Sequence, residues 1–180
     1  DPLEGSVPRM QTDLRESFIE ANGGVPQEIF STLSEFREWL TMWTFISCWH
    51  QNDGESAAMW ELYAKENRGI ALKTTYSNLI QSLAIDGVSL YDTSEIIKHG
   101  GVLYIPFDRS VIPEGRVMAP FFVKRQSFLH EAEVRVAIQS LPTGQDGLDR
   151  EREPEVTGHP IRADLDEMVS EIRVGPLSPD

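Results

Sequence analysis

The residues best equipped for chemistry lie in one short run, Glu131-Ala132-Glu133-Val134-Arg135. Residues 131–139 alternate as a strand does. Ala132, Val134, Val136 and Ile138 fall on one side, and Glu131, Glu133, Arg135 and Ala137 on the other. Strand geometry sets alternate side chains on one face, about 6–7 Å apart per step. Two carboxylates beside one guanidinium can divide their roles. One stays ionised against the cation while its neighbour is pushed toward protonation. Glu133 and Glu131 are therefore the candidate catalytic pair. The plainer reading is a solvated face of Glu–Arg pairs, which contribute little energy. Lys124, Arg125 and His130 in the adjoining connection raise the density of charge beside the pair.

A second group, Trp49, His50 and Glu55, flanks a turn between a strand and a helix, where ligand-contacting residues often sit. Trp49 offers a stacking plane for a flat ring. His50 offers a proton shuttle or a metal ligand, or merely ends a strand. Trp60 and Tyr63, at i and i+3 on a helix, read first as packing and second as a ligand box. Cys48 lies in an apolar strand and is expected to be a buried, inert thiol. The glycine pairs match no phosphate-loop or dinucleotide fingerprint. The four histidines, His50, His99, His130 and His159, show no metal-ligand spacing, so no metal is expected.

The elements that must position these residues mix helix and strand without strict alternation, which predicts an α+β fold with a mixed or antiparallel sheet and flanking helices. Helices are expected over 9–21 and 27–43. The second carries Leu33, Phe36, Leu40 and Trp43 at helical spacing. A buried strand over 44–50 leads to a polar turn, with Asp53 as the expected cap of a helix over 55–66. A strand over 69–74 and a short helix capped by Thr75 and running to about Leu83 follow. A weak helix after Asp92 should end at Gly100-Gly101. An edge strand is expected over 102–107 because of Pro106, and a helix over 117–129. Residues 142–158, rich in Pro, Gly and charge, read as a long mobile loop. Asp164 and Glu167 mark a short helix start, and 171–175 a last strand.

Composition narrows the partners. A chain of 180 residues fits one domain. Its apolar content of 40% and charged content of 25% are those of a globular protein. The net charge of −13 repels phosphate backbones, so no broad nucleic-acid surface is expected. A local basic cleft from Lys124, Arg125 and Arg135 is compatible with that charge. One cysteine excludes an internal disulfide and fits a reducing, cytoplasmic setting. No apolar run approaches the ~20 residues of a membrane span, and no signal peptide is visible. The start at Asp1-Pro2, without an initiator Met, reads as a fragment of a longer chain.

Two signatures carry a family resemblance. Ser47-Cys48-Trp49, Glu55-Ser56, Met59-Trp60, Tyr63 and Gly69-Ile70-Ala71-Leu72-Lys73 form the first; Lys124, Phe128, Glu131, Glu133 and Arg135 form the second. In this order they resemble the bacterial domain of unknown function numbered 2971. The opening Asp1-Pro2-Leu3-Glu4-Gly5 is similar to a segment that follows that family's first strands. The Tyr- and Arg-bearing strand that begins its members is lacking here. More distantly, the family resembles ADP-ribosyltransferase-like toxins of phage defence. That resemblance implies NAD as cofactor, with Glu133 at the position of the late catalytic Glu and Ser47 to Trp49 on the central strand. A carboxylate near the ribose would stabilise an oxocarbenium-like state. Arg135 or Lys124 would clamp the pyrophosphate, Trp49 would stack on nicotinamide, and His50 and Trp60 would complete the pocket.

Three readings stay open on these grounds. The first is an NAD-using transferase that binds a small nucleotide. The second is a non-catalytic sensing or interaction domain with a protein partner and a structural Glu/Arg network. The third is a metal-dependent hydrolase or nuclease built on the paired carboxylates.

Overall fold

In the computed structural model, which describes residues 5–21, 27–64, 69–83, 95–112, 116–145, 147–155 and 157–176, the described residues up to His50 form the two helices and the strand their pattern predicts, but the strand 44–50, expected to be buried, holds only half-buried and exposed residues. Helices α1 (Arg9–Ala21) and α2 (Gln27–Met42) lead into strand β1 (Thr44–His50). On α2, Trp39 and Leu40 are buried, and Phe36 stacks on Trp39 with ring centroids 5.7 Å apart. The Thr44 hydroxyl donates to the Leu40 carbonyl at 2.7 Å, satisfying one of the carbonyls that a helix end leaves open.

Helix α3 (Ala57–Tyr63), strand β2 (Ile70–Lys73) and helix α4 (Tyr76–Ser82) come next. Ser56, not Asp53, caps α3, its hydroxyl accepting from the Met59 amide at 3.4 Å. A cap must immediately precede the first helical residue, and Asp53 lies a turn too early. Thr75 caps α4 as expected, accepting from the Asn78 amide at 3.1 Å.

Strands β3 (Glu95–Gly101) and β4 (Leu103–Ile105) follow. Two 3-10 turns, Ala119–Phe122 and Gln126–Glu131, are separated by β5 (Val123–Arg125). Then come β6 (Glu133–Ser140), β7 (Thr143–Gly144), β8 (Gly147–Leu148), helix α5 (Leu165–Met168) and β9 (Glu171–Val174). Asp164 caps α5, its carboxylate accepting from the amides of Asp166 and Glu167 at 3.0 and 3.1 Å.

Three expectations are corrected. The segment before Gly100-Gly101 is a strand, not a helix. Seven-residue pairing with β6 outweighs a weak helical pattern that ends in two poor helix formers. No α-helix forms over 117–129, where β5 instead pairs in parallel with β4. The strand expected to start at 131 starts at Glu133, because Ala132 takes a left-handed backbone, φ 39°. The 142–158 segment holds the small β7–β8 hairpin.

The described residues form several sheets and helices, an α+β architecture, and divide into two compact units. The first comprises Asp1–His50 and Thr93–Gly158. Its sheet has the order β1-β6-β3, with β6 antiparallel to both neighbours. Met118, Phe121 and Ala137 form its buried cluster, with Ile46 and Phe122 packed against it. Gln11 of α1 is buried yet satisfied: its amide donates to the Ile112 carbonyl and accepts from the Ile112 amide, both at 2.9 Å. Gly5, at φ 76°, passes so close to Phe121 that a Cβ there would lie 2.9 Å from the ring.

The second unit comprises Gln51–Asp92 and His159–Asp180. Its β2–β9 ribbon pairs Ile70 with Val174 and Leu72 with Ile172. These four apolar side chains share one face, and all are exposed, from 43% at Leu72 to 67% at Ile70. The Ser170 amide and hydroxyl both donate to the Lys73 carbonyl at 2.9 Å and close the ribbon's end. Asn78 of α4 donates to the Glu167 carbonyl at 3.0 Å, tying α4 to α5.

Candidate functional site

In the first unit, Glu131 and Glu133 meet around a single ammonium. Lys124, on β5, bonds the Glu131 carboxyl Oε2 and reaches Glu133 Oε1 at 2.6 Å. The other oxygen of Glu133 accepts from Arg135 Nε at 2.6 Å, and Arg135 Nη1 donates to the Phe121 carbonyl at 2.6 Å. All four side chains are buried: Arg135 is 0% exposed and the other three are 7%. The solvated face of the plainer reading is thus replaced by a buried network.

The convergence depends on the backbone at Ala132. In a continuous strand, Glu131 and Glu133 would simply follow one another on one face. Here Glu131 closes the 3-10 turn 126–131, and Ala132 donates its amide to the Leu129 carbonyl at 3.2 Å. Two neighbours brace the junction. The Glu133 amide donates to the Tyr104 hydroxyl at 2.8 Å. His50 Nδ1 lies 2.7 Å from the Glu131 carbonyl, and since a carbonyl only accepts, Nδ1 carries the hydrogen.

The electrostatics separate the two carboxyls. Burial pulls Glu133 upward, but hydrogen bonds from Glu131, Arg135 and Lys124 outweigh it and hold Glu133 at about 2. Glu131 moves the opposite way, raised first by burial and then by its hydrogen bond to Glu133, against the opposing pull of Lys124. Lys124 is pushed up: burial opposes its charge, but its bonds to Glu131 and Glu133 prevail. Burial also raises the Tyr104 hydroxyl.

The sheet register sorts the remaining candidates. His50 stands opposite Glu133 and Cys48 opposite Arg135, so these four share a face. Trp49 stands opposite Val134 and Ser47 opposite Val136, so Trp49 and Ser47 project from the other face. The Trp49 indole donates to the Ser47 hydroxyl at 3.1 Å. The structure therefore joins Glu131, Glu133, Arg135, Lys124 and His50, and sets Trp49 and Ser47 on the far side of the sheet. Trp60 belongs to the second unit, where it is buried and its indole donates to Glu55 Oε1 at 2.6 Å, as the packing reading expects, whereas Tyr63 is exposed, against that reading. Cys48 is exposed, against the expectation of a buried thiol: it lies in the outer half of β1, where Ser47 and His50 are exposed as well.

Around the network, Phe128 carries cations over its ring, Lys124 Nζ at 4.8 Å and Arg125 at 5.1 Å from the centroid. His130 stacks beside it at 6.5 Å and stays exposed. Tyr104, Ala132 and the Phe121 carbonyl are the participants that sequence reasoning misses. Tyr104 falls on the expected strand 102–107, but nothing local shows that its hydroxyl reaches Glu133. An alanine carries no signal for a left-handed turn.

Among the described residues, no group of three or more His, Cys, Asp or Glu is placed to hold a metal ion, and no helix is long and apolar enough to cross a membrane. Compared with family models, curated proteins and solved structures, the chain matches none.

Proposed function

We propose that the Lys124–Glu131–Glu133–Arg135 cluster is a structural ion network, and that the chain is a non-catalytic sensing or interaction domain. One observation carries the reading. Both Glu133 oxygens are engaged by cations of the protein itself, in a buried site. A carboxylate held at about 2 with its lone pairs so engaged is a poor general base. The aromatic platform that NAD chemistry would need, Trp49, lies on the opposite face of the sheet. The network ties β5 and the turn 126–131 to the central strand β6. A partner surface is on hand in the second unit, whose ribbon exposes Ile70, Leu72, Ile172 and Val174 together. Leu62 and Tyr63 of α3 are exposed in the same unit, at 58% and 70%.

A second reading draws support from the carboxyl pair itself. Neighbouring acids pushed in opposite directions are what an acid/base site requires, and a left-handed alanine between them is strain of the kind found at functional sites. In that reading the chain is an ADP-ribosyltransferase-like enzyme acting on NAD, with Glu133 near the ribose. For the hydrolase reading nothing comparable remains, since the Lys124 ammonium occupies the place between the carboxylates that a divalent ion would need.

Labelled NAD separates the two. We expect no nicotinamide release from the protein or from Glu133→Gln, together with a lower unfolding midpoint for the variant. Release by the unaltered protein that disappears in Glu133→Gln would replace the first reading with the second.

A further inference from the structure

The two carboxyls of the network are unequally compensated. Glu133 bonds both Lys124 and Arg135. Glu131 has Lys124 as its cation among the described residues, and it shares that ammonium with Glu133. A buried carboxylate that holds half a cation and faces a second carboxylate is the weakest charge in the site. A proton taken up there lands on Glu131, which turns from a competing anion into a donor toward Glu133. Among the described residues, the charged and titratable groups gathered at the site are Lys124 from β5, Glu133 and Arg135 from β6, Tyr104 from β4 and His50 from β1, each bonded within it.

We propose that Glu131 and Glu133 form a one-proton site that governs the junction between the turn 126–131 and β6. With the proton on Glu131, the cluster holds one carboxylate, one neutral acid and two cations, and the junction is closed. When that proton leaves for solvent, two carboxylates face the same two cations, but Arg135 bonds Glu133 alone and both carboxylates compete for the one ammonium of Lys124. The left-handed backbone at Ala132 then adds its own strain in favour of opening. The turn that would loosen displays Leu129, 57% exposed, and His130 at the surface, so the proton sets how firmly that surface is held. This inference rests on the structural reading of the cluster, yet its readouts involve no NAD, so the two can fail separately.

The test is made on the whole chain. Carboxyl carbon NMR should show Glu131 titrating above the ordinary 4.5. Glu131→Gln, which keeps the neutral form at every pH, should raise the unfolding midpoint in mildly alkaline buffer and flatten the fall in stability on the alkaline side of the carboxylate range. The sign follows from a group that binds its proton more tightly folded than unfolded: its contribution is complete below 4.5 and is lost as pH rises through the folded value. The idea is overturned by an ordinary Glu131 titration, or by a Glu131→Gln variant that is destabilised in alkaline buffer as Glu133→Gln is.

Discussion

The same three residue types build two ion clusters in this chain, one in each unit. In the first, Glu133-x-Arg135 on β6 is joined by Lys124 from another strand; in the second, Glu171-x-Arg173 on β9 is joined by Lys73 from β2. The contacts are alike. Arg173 Nε bonds Glu171 at 2.9 Å and Lys73 Nζ bonds it at 3.0 Å. Hydrogen bonds from Arg173 and then Lys73 hold Glu171 at about 2, the same value as Glu133. What differs is water. The side chains of the second cluster are 29–50% exposed, against 0–9% in the first. Identical chemistry at identical spacing is a solvated trio in one unit and a closed buried network in the other. The motif does not specify a site; burial does.

The largest expected effect breaks the first cluster and spares the second. Arg135→Met leaves Glu133 buried with half its compensation, a loss of about 3–5 kcal/mol in urea unfolding. Arg173→Met, with water ready to replace the guanidinium, should leave the unfolding midpoint unchanged. Equal losses from the two substitutions would erase the distinction between the clusters.

A smaller effect is read from pH and salt. Glu133 is held below the ordinary 4.5, so its contribution is present above 4.5 and disappears as pH falls toward about 2. Glu133→Gln should remove that part of the acid limb in urea midpoints measured across the range. In 1 M salt the screening length is about 3 Å. NMR titration should then find Glu171 returning toward 4.5 while Glu133 stays low.

The smallest effect concerns the backbone. An alanine in the left-handed region is disfavoured by about 1–2 kcal/mol, and glycine returns about 0.5–1 kcal/mol of that as chain entropy. Ala132→Gly should therefore stabilise the chain by up to about 1 kcal/mol, with the Glu133 titration unchanged. A loss of stability would show that Ala132 is unstrained.

Much of the architecture is legible in the sequence. The bounds of α1 and β1, the Thr75 and Asp164 caps and the antiparallel alternation of β6 are all local, set by periodicity and by side chains that bond their own neighbouring amides. Glu133, Arg135 and Lys124 were legible as a charge cluster. The strand at 95–101 was not, since a weak helical pattern with Gly100-Gly101 as its stop argues for helix until β6 supplies partners.

The sequence by itself determined which side chains carry charge, their order, and the period-two face that joins Glu133 to Arg135. Tertiary structure alone decided that Lys124 reaches across to both glutamates, that Trp49 and Ser47 turn away from them, and that water is excluded from one Glu-x-Arg trio and admitted to the other. The reason is physical: alternation and capping are properties of a few consecutive residues, whereas desolvation depends on every element packed around a charge, and it is desolvation that sets what that charge is worth.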